Sequence, residues 1–212
     1  MAVVWYPPTR VPTVPPTKLS GRNHPSRRAL RRVLKEPDDP SAWENLAEVY
    51  EAMAEIWTDW ADGEADYLDS VHAGLQQAQD AAWILEVCCG TGQASPVLAE
   101  QTQLLVATDV NAAMVADAPA LSHTTYALAD VRALPVRSGS VPLLVGLNAV
   151  PHVAEFTRVL GPVGQLLWCS SFGPDTPLYV SPDELLELFG PGFRGEAGRA
   201  GYGDWTLLTR EI

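Results

Sequence analysis

The fold of this 212-residue chain is best predicted from the stretch WILEVCCGTGQAS, residues 83–95. Its first five residues form a mostly apolar run of the kind that predicts a buried strand. A Gly-Thr-Gly turn, Gly90 to Gly92, follows, and Ser95 then marks the start of a helix. Because glycine has no side chain, such a turn lets backbone N–H groups approach a ligand closely. The stretch therefore predicts a strand, a ligand-binding loop and a helix.

The adjacent cysteines Cys88 and Cys89 raise the alternatives of a metal site and a redox pair. Neighbouring side chains on a strand point to opposite faces, so the two thiols are not placed to bind one ion. The sequence also has no C-x-x-C pair and no His cluster, which zinc and redox sites use. Both cysteines are therefore expected to act as small apolar residues, with Cys88 beside the ligand.

From residue 82 onward, short apolar runs alternate with helical segments. A strand without polar alternation is buried on both faces, and this pattern predicts a mostly parallel, doubly wound α/β sheet covered by helices on both sides. The predicted strands are residues 83–87, 104–109, 124–130, 141–148 and 163–171, with helices near 93–101, 111–118 and 152–160. A helix that begins at Ser181 and two closing strands complete the chain.

The residues before this core divide into two further segments. Residues 1–40 form a basic, proline-rich arm, expected to be extended or mobile up to residue 24 and to contain a short basic helix over residues 25–36. Residues 41–80 are predicted to form two lid helices, the first of which begins at a Ser41–Glu44 capping box. The core domain is then residues 81–212.

Charge is distributed unevenly along the chain. Residues 1–35 hold eight of the fourteen basic residues and no acidic one, so the remaining residues carry six basic side chains against 26 acidic ones, a net charge of −20. The arm either binds a polyanion or lies on its own acidic body, and the sequence leaves both open. The acidic body itself disfavours a nucleic acid as substrate.

Composition and sequence patterns predict the cellular location of the protein. No run of about 18 apolar residues is present, so we expect no membrane insertion. The N-terminus has no signal-peptide pattern and three cysteines are too few for a disulfide framework, which together predict a cytoplasmic protein. The sequence does not indicate an oligomeric state.

The loop itself discriminates between two nucleotide-like ligands. NAD-binding loops use G-x-G-x-x-G, and the first and third glycines are missing here. Glu86 would also repel a pyrophosphate, whereas a ligand with a sulfonium or ammonium group tolerates a carboxylate. NAD-dependent oxidoreduction is therefore disfavoured.

LEVCCGTG resembles the first-strand motif, E/D-x-G-x-G-x-G, of the class I S-adenosylmethionine-dependent methyltransferases of the small-molecule type. Cys88 replaces the first glycine, a form familiar among ubiquinone and menaquinone biosynthesis methyltransferases. The resemblance implies a Rossmann-like fold with a seven-stranded sheet and S-adenosylmethionine as cofactor. It implies that Glu86, Cys88, Gly90, Thr91 and Gly92 lie at the cofactor.

Two further motifs resemble the same family. In VATDVNAAMVADA, the resemblance implies that Asp109 holds both ribose hydroxyls, while Val110 and Met114 pack near the adenine. In YALADVRALP, it implies that Asp130 accepts from the adenine amino group and Val131 lies against the ring. The alternatives are a helix cap at Asp109 and a turn cap at Asp130.

Other segments extend the resemblance at both ends. LVGLNAVPHV is similar to the end of the fourth strand and implies that Asn148 lies beside the cofactor, and YEAMAEIWTDW is similar to a lid helix with Trp57 near the cofactor. His152 is a candidate general base, with the alternative that it only begins a helix.

The resulting prediction is an enzyme that moves a methyl group from S-adenosylmethionine to an O, N or C nucleophile of a small molecule by direct displacement. The alternative is a catalytically silent protein of the same fold that acts as a binding partner or regulator. Neither reading requires a metal.

Overall fold

The structure, a computed structural model, describes residues 2–12, 24–51 and 66–211. These residues form one eight-stranded sheet. Its strands are β1 (Val4–Trp5), β2 (Ile84–Val87), β3 (Leu105–Asp109), β4 (Thr124–Leu128), β5 (Val141–Leu147), β6 (Leu160–Ser170), β7 (Phe193–Ala200) and β8 (Gly203–Arg210).

The strand order across the sheet is β1-β7-β8-β6-β5-β2-β3-β4. All pairs are parallel except those of β8, which is antiparallel to both β6 and β7. The chain builds outward from β2 to β4 on one side and then returns to β5 on the other. In such a sheet the ligand crevice lies beyond the carboxyl ends of β2 and β5, where the order reverses. The predicted doubly wound α/β fold is confirmed.

Helices cover both faces of the sheet. They are α1 (Pro25–Lys35), α2 (Pro40–Glu51), α3 (Asp69–Leu75), α4 (Ser95–Ala99), α5 (Ala112–Ala116), α6 (Val153–Val159) and α7 (Pro182–Phe189), with 3-10 turns at Gly173–Asp175 and Gly190–Gly192. None of them, within the described residues, is both long and apolar enough to cross a bilayer.

Strand side chains alternate between two apolar clusters, one on each face. Leu85 and Leu144 pack on the side of α1, α2, α6 and α7, whereas Ile84 and Leu143 pack on the side of α3 and α4. Because both faces of these strands are covered, their sequences are nearly continuous apolar runs, as predicted.

The eighth strand, β1, corrects the predicted count of seven strands. Residues 4 and 5 pair in parallel with β7, and the backbone N–H of Tyr6 donates to the carbonyl of Ala197 at 2.7 Å. Val3 beside them is 7% exposed. The start of the arm, predicted to be extended or mobile, is thus an edge strand, a position that tolerates the prolines that follow. Residues 13–23 lie outside the described part of the chain.

The basic helix α1 lies against the protein's own body. Arg27 donates to the backbone carbonyls of Pro174 and Thr176, and Arg31 forms an ion pair with Glu184. On the opposite face of α1, Leu30 and Val33 are fully buried. Of the two arrangements that the sequence left open for the arm, the described residues adopt the second.

The first lid helix begins one residue earlier than predicted, at Pro40. The side chain of Asp39 accepts from the backbone N–H of Ser41 at 3.0 Å, so Asp39 caps this end in place of the predicted Ser41–Glu44 box. Pro at the first helical position needs no hydrogen bond there. The second lid helix is α3, and residues 52–65 between the two are outside the described residues.

Candidate functional site

A cavity of about 630 Å³ opens at the carboxyl ends of β2, β3 and β5. This volume lies in the range of small-molecule and cofactor sites. The lining residues among those described come from α2 and the start of the next segment (Trp43, Leu46, Ala47, Tyr50, Glu51, Tyr67), from β2 and its loop (Glu86, Cys88, Cys89, Gly90, Gln93, Ala94), from β3 and α5 (Asp109, Val110, Asn111, Ala112, Ala113, Met114), from the segment after β4 (Ala129, Asp130, Val131, Arg132), and from β5 and beyond (Leu147, Asn148, Val150, Leu178).

The loop after β2 forms one wall through a left-handed backbone. Cys88, Gly90 and Gly92 have φ angles of 53°, 55° and 78°. A Cβ atom at Gly92 would lie 2.9 Å from Pro119, so only glycine fits at this position of the turn without a shift of its neighbours. Gly90 and Cys88 line the cavity, whereas Thr91 and Gly92 are buried in the turn and do not. A cofactor contact of Thr91 and Gly92 stays a prediction.

Asp109 is held at the cavity by two backbone donors. Its Oδ2 accepts from the N–H of Gly90 at 2.8 Å and its Oδ1 from the N–H of Asn111 at 2.9 Å. Burial raises the pKa of this carboxyl above its usual value, against the effect of these hydrogen bonds. Asn111, not Asp109, provides the side-chain cap of α5, accepting from the N–H groups of Ala113 and Met114. The helix-capping role that was the alternative for Asp109 is therefore performed by Asn111.

Glu86 lies at the bottom of the cavity and is 2% exposed. Ser95, at the start of α4, donates to its Oε2 at 2.6 Å. Burial raises the pKa of Glu86 to about 7, a rise that the Ser95 bond opposes and the charge of Asp109 increases. A cationic ligand group would favour its ionised form.

Asp130 and Arg132, which both line the cavity, form an ion pair with each other. Asp130 Oδ1 accepts from the backbone N–H of Arg132 at 2.8 Å, and its Oδ2 accepts from Arg132 Nη2 at 2.6 Å. Burial opposes ionisation of Asp130, but the contacts with Arg132 outweigh it and the pKa is lowered. Asp130 thus caps its own turn while lining the cavity. Val131 lines it as well.

Trp43 connects the lid helix α2 to this ion pair. The Arg132 guanidinium lies 5.3 Å from the centre of its ring, and Trp43 Nε1 donates to the carbonyl of Pro37 at 2.8 Å. His152 packs edge-on against the same ring, with centroids 5.6 Å apart.

His152 does not line the cavity. Its Nδ1 accepts from the N–H of Glu155 at 3.3 Å and so caps α6. Burial lowers its pKa, with the charge of Glu155 opposing the change. This geometry agrees with the alternative of a helix start, and a role in proton transfer stays a prediction.

Asn148 lines the cavity, but its amide is engaged with the protein. Nδ2 donates to Tyr67 and to Ser171, both at 2.9 Å, and Oδ1 accepts from the N–H of Ser171 at 2.9 Å. It therefore fixes the end of β5 to that of β6. Trp57, the remaining predicted site residue, lies outside the described residues.

Sequence reasoning missed several lining residues. The position of Asn111 as a helix N-cap was a usable signal. Arg132 and Leu178 gave none, because their place in the wall depends on contacts with distant segments.

The cavity and its fold can be compared with known proteins. Residues 84–167, which run from β2 into β6, match the model of a methyltransferase domain family. The chain therefore contains a methyltransferase domain. None of the curated proteins compared with it has a significantly similar sequence.

Solved structures share the fold of this methyltransferase. A chain of the complex between the Haloferax volcanii Trm112 methyltransferase activator and its methyltransferase superposes with a TM-score of 0.64 at 15% identity, over 77% of this chain and 98% of that chain. The DhpI complex with S-adenosylhomocysteine gives 0.60 at 17%, over 77% and 94%. A methyltransferase from Aquifex aeolicus gives 0.58 at 16%, over 84% and 97%.

The described residues of the methyltransferase fit S-adenosylmethionine as cofactor. Gly90 in the left-handed loop places no side chain in the cavity, and Asp109 keeps lone pairs beyond its two backbone bonds. Glu86 supplies a buried carboxyl that a sulfonium or ammonium group can stabilise. The ubiquinone or menaquinone subtype stays a prediction.

Proposed function

We propose that this methyltransferase acts on a small molecule, transferring the methyl group to an O, N or C nucleophile by direct displacement. The observation that carries the proposal is the Asp109 carboxylate, which two backbone donors fix at the mouth of a closed left-handed loop. A carboxylate oriented in this way suits a vicinal diol such as that of ribose.

The roles that we propose for the other residues come from the family resemblance, and the presence of several of them in the cavity lining supports these roles. In this proposal Gly90 and Cys88 lie beside the amino-acid half of the cofactor, Glu86 beside its positive charge, and Val131 and Met114 along the adenine. Val110, Asp130, Asn148, Thr91, Gly92 and Trp57 complete the proposed cofactor site.

When bound, S-adenosylmethionine would supply the methyl group on its sulfonium, and the neutral thioether of S-adenosylhomocysteine would be the leaving group. The protein then has to align the acceptor and exclude water, and such positioning accounts for a large part of the rate. Leu46, Ala47 and Tyr50 on α2 provide an apolar cover for this step. A general base at His152 is not required by this scheme.

The proposed organisation is an arm over residues 1–40, a helical lid over 41–80 and a core over 81–212. The acidic body supports a small-molecule acceptor over a nucleic acid. A cytoplasmic location stays a prediction from the sequence.

Calorimetry with S-adenosylmethionine, S-adenosylhomocysteine and NAD tests the cofactor site. We expect Asp109→Ala to weaken S-adenosylhomocysteine binding about ten-fold or more, because it removes charge-assisted hydrogen bonds to the ribose. The exposed Asp117→Ala is the matched control, with unchanged affinity expected. Binding of NAD alone, or an unchanged dissociation constant in Asp109→Ala, would refute the assignment. Binding without turnover on any acceptor would favour the catalytically silent alternative.

A further inference from the structure

The charges around the cavity restrict the acceptor as well as the cofactor. Four carboxyl groups line it, those of Glu51, Glu86, Asp109 and Asp130. Among the described lining residues, Arg132 is the one basic side chain. The cavity therefore has a negative balance before any ligand enters.

The Nε and Nη2 edge of the Arg132 guanidinium is already occupied by Asp130. Its Nε donates to both oxygens of Asp130 at 3.0 and 2.9 Å, and its Nη2 to Oδ2 at 2.6 Å. One face of the group also lies over Trp43. A bidentate pair of this kind uses the planar fork that would otherwise recognise a carboxylate or phosphate.

Part of the remaining lining is apolar. Leu46, Ala47, Val150 and Leu178 contribute hydrocarbon surface to the cavity. An anionic acceptor would leave water for a cavity whose described lining residues repel it and include no cation that is not already paired with a carboxylate.

We infer that the methyl acceptor is an apolar molecule without an anionic group, either uncharged or cationic, and that the Asp130–Arg132 pair sets this selectivity. This inference rests on the proposed function, because it assigns the remaining cavity to the acceptor. Asp130 acts here by occupying Arg132, in addition to its proposed contact with the adenine.

Three probes of matched shape test the inference on the protein saturated with S-adenosylhomocysteine: 2-naphthol, 2-naphthylmethylamine and 2-naphthoate. Their binding is measured by ligand-observed NMR titration. We expect the first two to bind the wild-type protein roughly ten-fold more tightly than naphthoate, the effect of one unpaired buried charge. Asp130→Asn frees Arg132 and should raise naphthoate affinity about ten-fold. The exposed Asp80→Asn, outside the cavity, should leave it unchanged.

Equal or tighter binding of naphthoate to the wild-type protein would overturn the inference, as would an Asp130→Asn variant with no gain for naphthoate. Saturation with S-adenosylhomocysteine is established first by calorimetry. A protein that does not bind it refutes the proposed function, whereas a loaded protein that prefers naphthoate refutes the acceptor class alone.

Discussion

Cys88 has a backbone φ of 53°, in the left-handed region where a side chain costs free energy. We expect Cys88→Gly to be more stable than Cys88→Ala by about 1 kcal/mol, because both variants remove the thiol and only alanine keeps the Cβ. At an ordinary helical position the order of the two residues is the reverse. Urea unfolding of the two variants measures the difference. An alanine variant as stable as the glycine variant would show that this backbone position carries no strain.

Glu86 links stability to pH. Its folded-state pKa of about 7 lies above the ordinary value of 4.5, chiefly because of burial. The protonated carboxyl therefore contributes stability that is complete below pH 4.5 and is lost as the pH rises through about 7. We expect Glu86→Gln to remove this loss, so that its free energy of unfolding declines less than that of the wild-type protein across this range.

Urea unfolding of Glu86→Gln at several pH values measures the effect, with the exposed Glu100→Gln as control. The control should retain the wild-type pH dependence. Parallel pH profiles for Glu86→Gln and the wild-type protein would contradict the raised pKa.

The residues of the site were predictable to different degrees. Asp109 and Glu86 stand at the ends of predicted strands, so the sheet topology brings them together whatever the other details are. Arg132 has no such signal, because its neighbour Trp43 lies far away in sequence and meets it through packing of α2. His152 has the side chain of a general base, yet its local role as a helix cap places it outside the cavity lining.

At the scale of elements, β5 and β6 depend on a close fit between Gly146 and Trp168. A methyl group on Gly146 would come within 2.8 Å of Trp168 Cε3, and Trp168 is 2% exposed. We expect Gly146→Ala to lower the free energy of unfolding by about 1–3 kcal/mol, since an overpacked core has to shift the ring or the strand.

Thermal or urea unfolding measures the loss in Gly146→Ala. Gly192→Ala is the control, because a methyl group there meets no atom within 4 Å. Replacing Trp168 by leucine in the Gly146→Ala background should recover part of the loss by removing the overlap. A Gly146→Ala variant with wild-type stability would mean that the two strands accommodate the methyl group.

The elements from β2 onward were predicted because strands buried on both faces appear as apolar runs. β1 could not be predicted in this way. Its two residues, Val4 and Trp5, are exposed and form a strand because β7 offers an open edge. The start of α2 likewise depends on Asp39, whose side chain competes with Ser41 as a cap.

For the molecule as a whole, basic residues of the described part of the arm contact the acidic body. Arg27 holds the carbonyls of Pro174 and Thr176, just before the cavity residue Leu178, and Arg31 pairs with Glu184 on α7. Exposed ion pairs contribute little individually, so the apolar face of α1 provides most of the binding energy. Within the described residues, Arg27 and Arg31 of the arm thus serve to dock α1 on the body.

Deletion of residues 2–12 separates stability from cofactor binding. The arm buries Val3 against the core and pairs with β7, so its loss should lower the free energy of unfolding by about 2 kcal/mol or more. The exposed edge of β7 should also favour self-association. Because none of these residues lines the cavity, the dissociation constant for S-adenosylhomocysteine should stay at its wild-type value.

Val3→Ala is the matched control and should lower the free energy of unfolding by about 1.5 kcal/mol, the value of two buried methyl groups. Unfolding curves and calorimetry on the folded variants measure both quantities, and weaker cofactor binding by the deletion variant would show that the arm shapes the site from a distance.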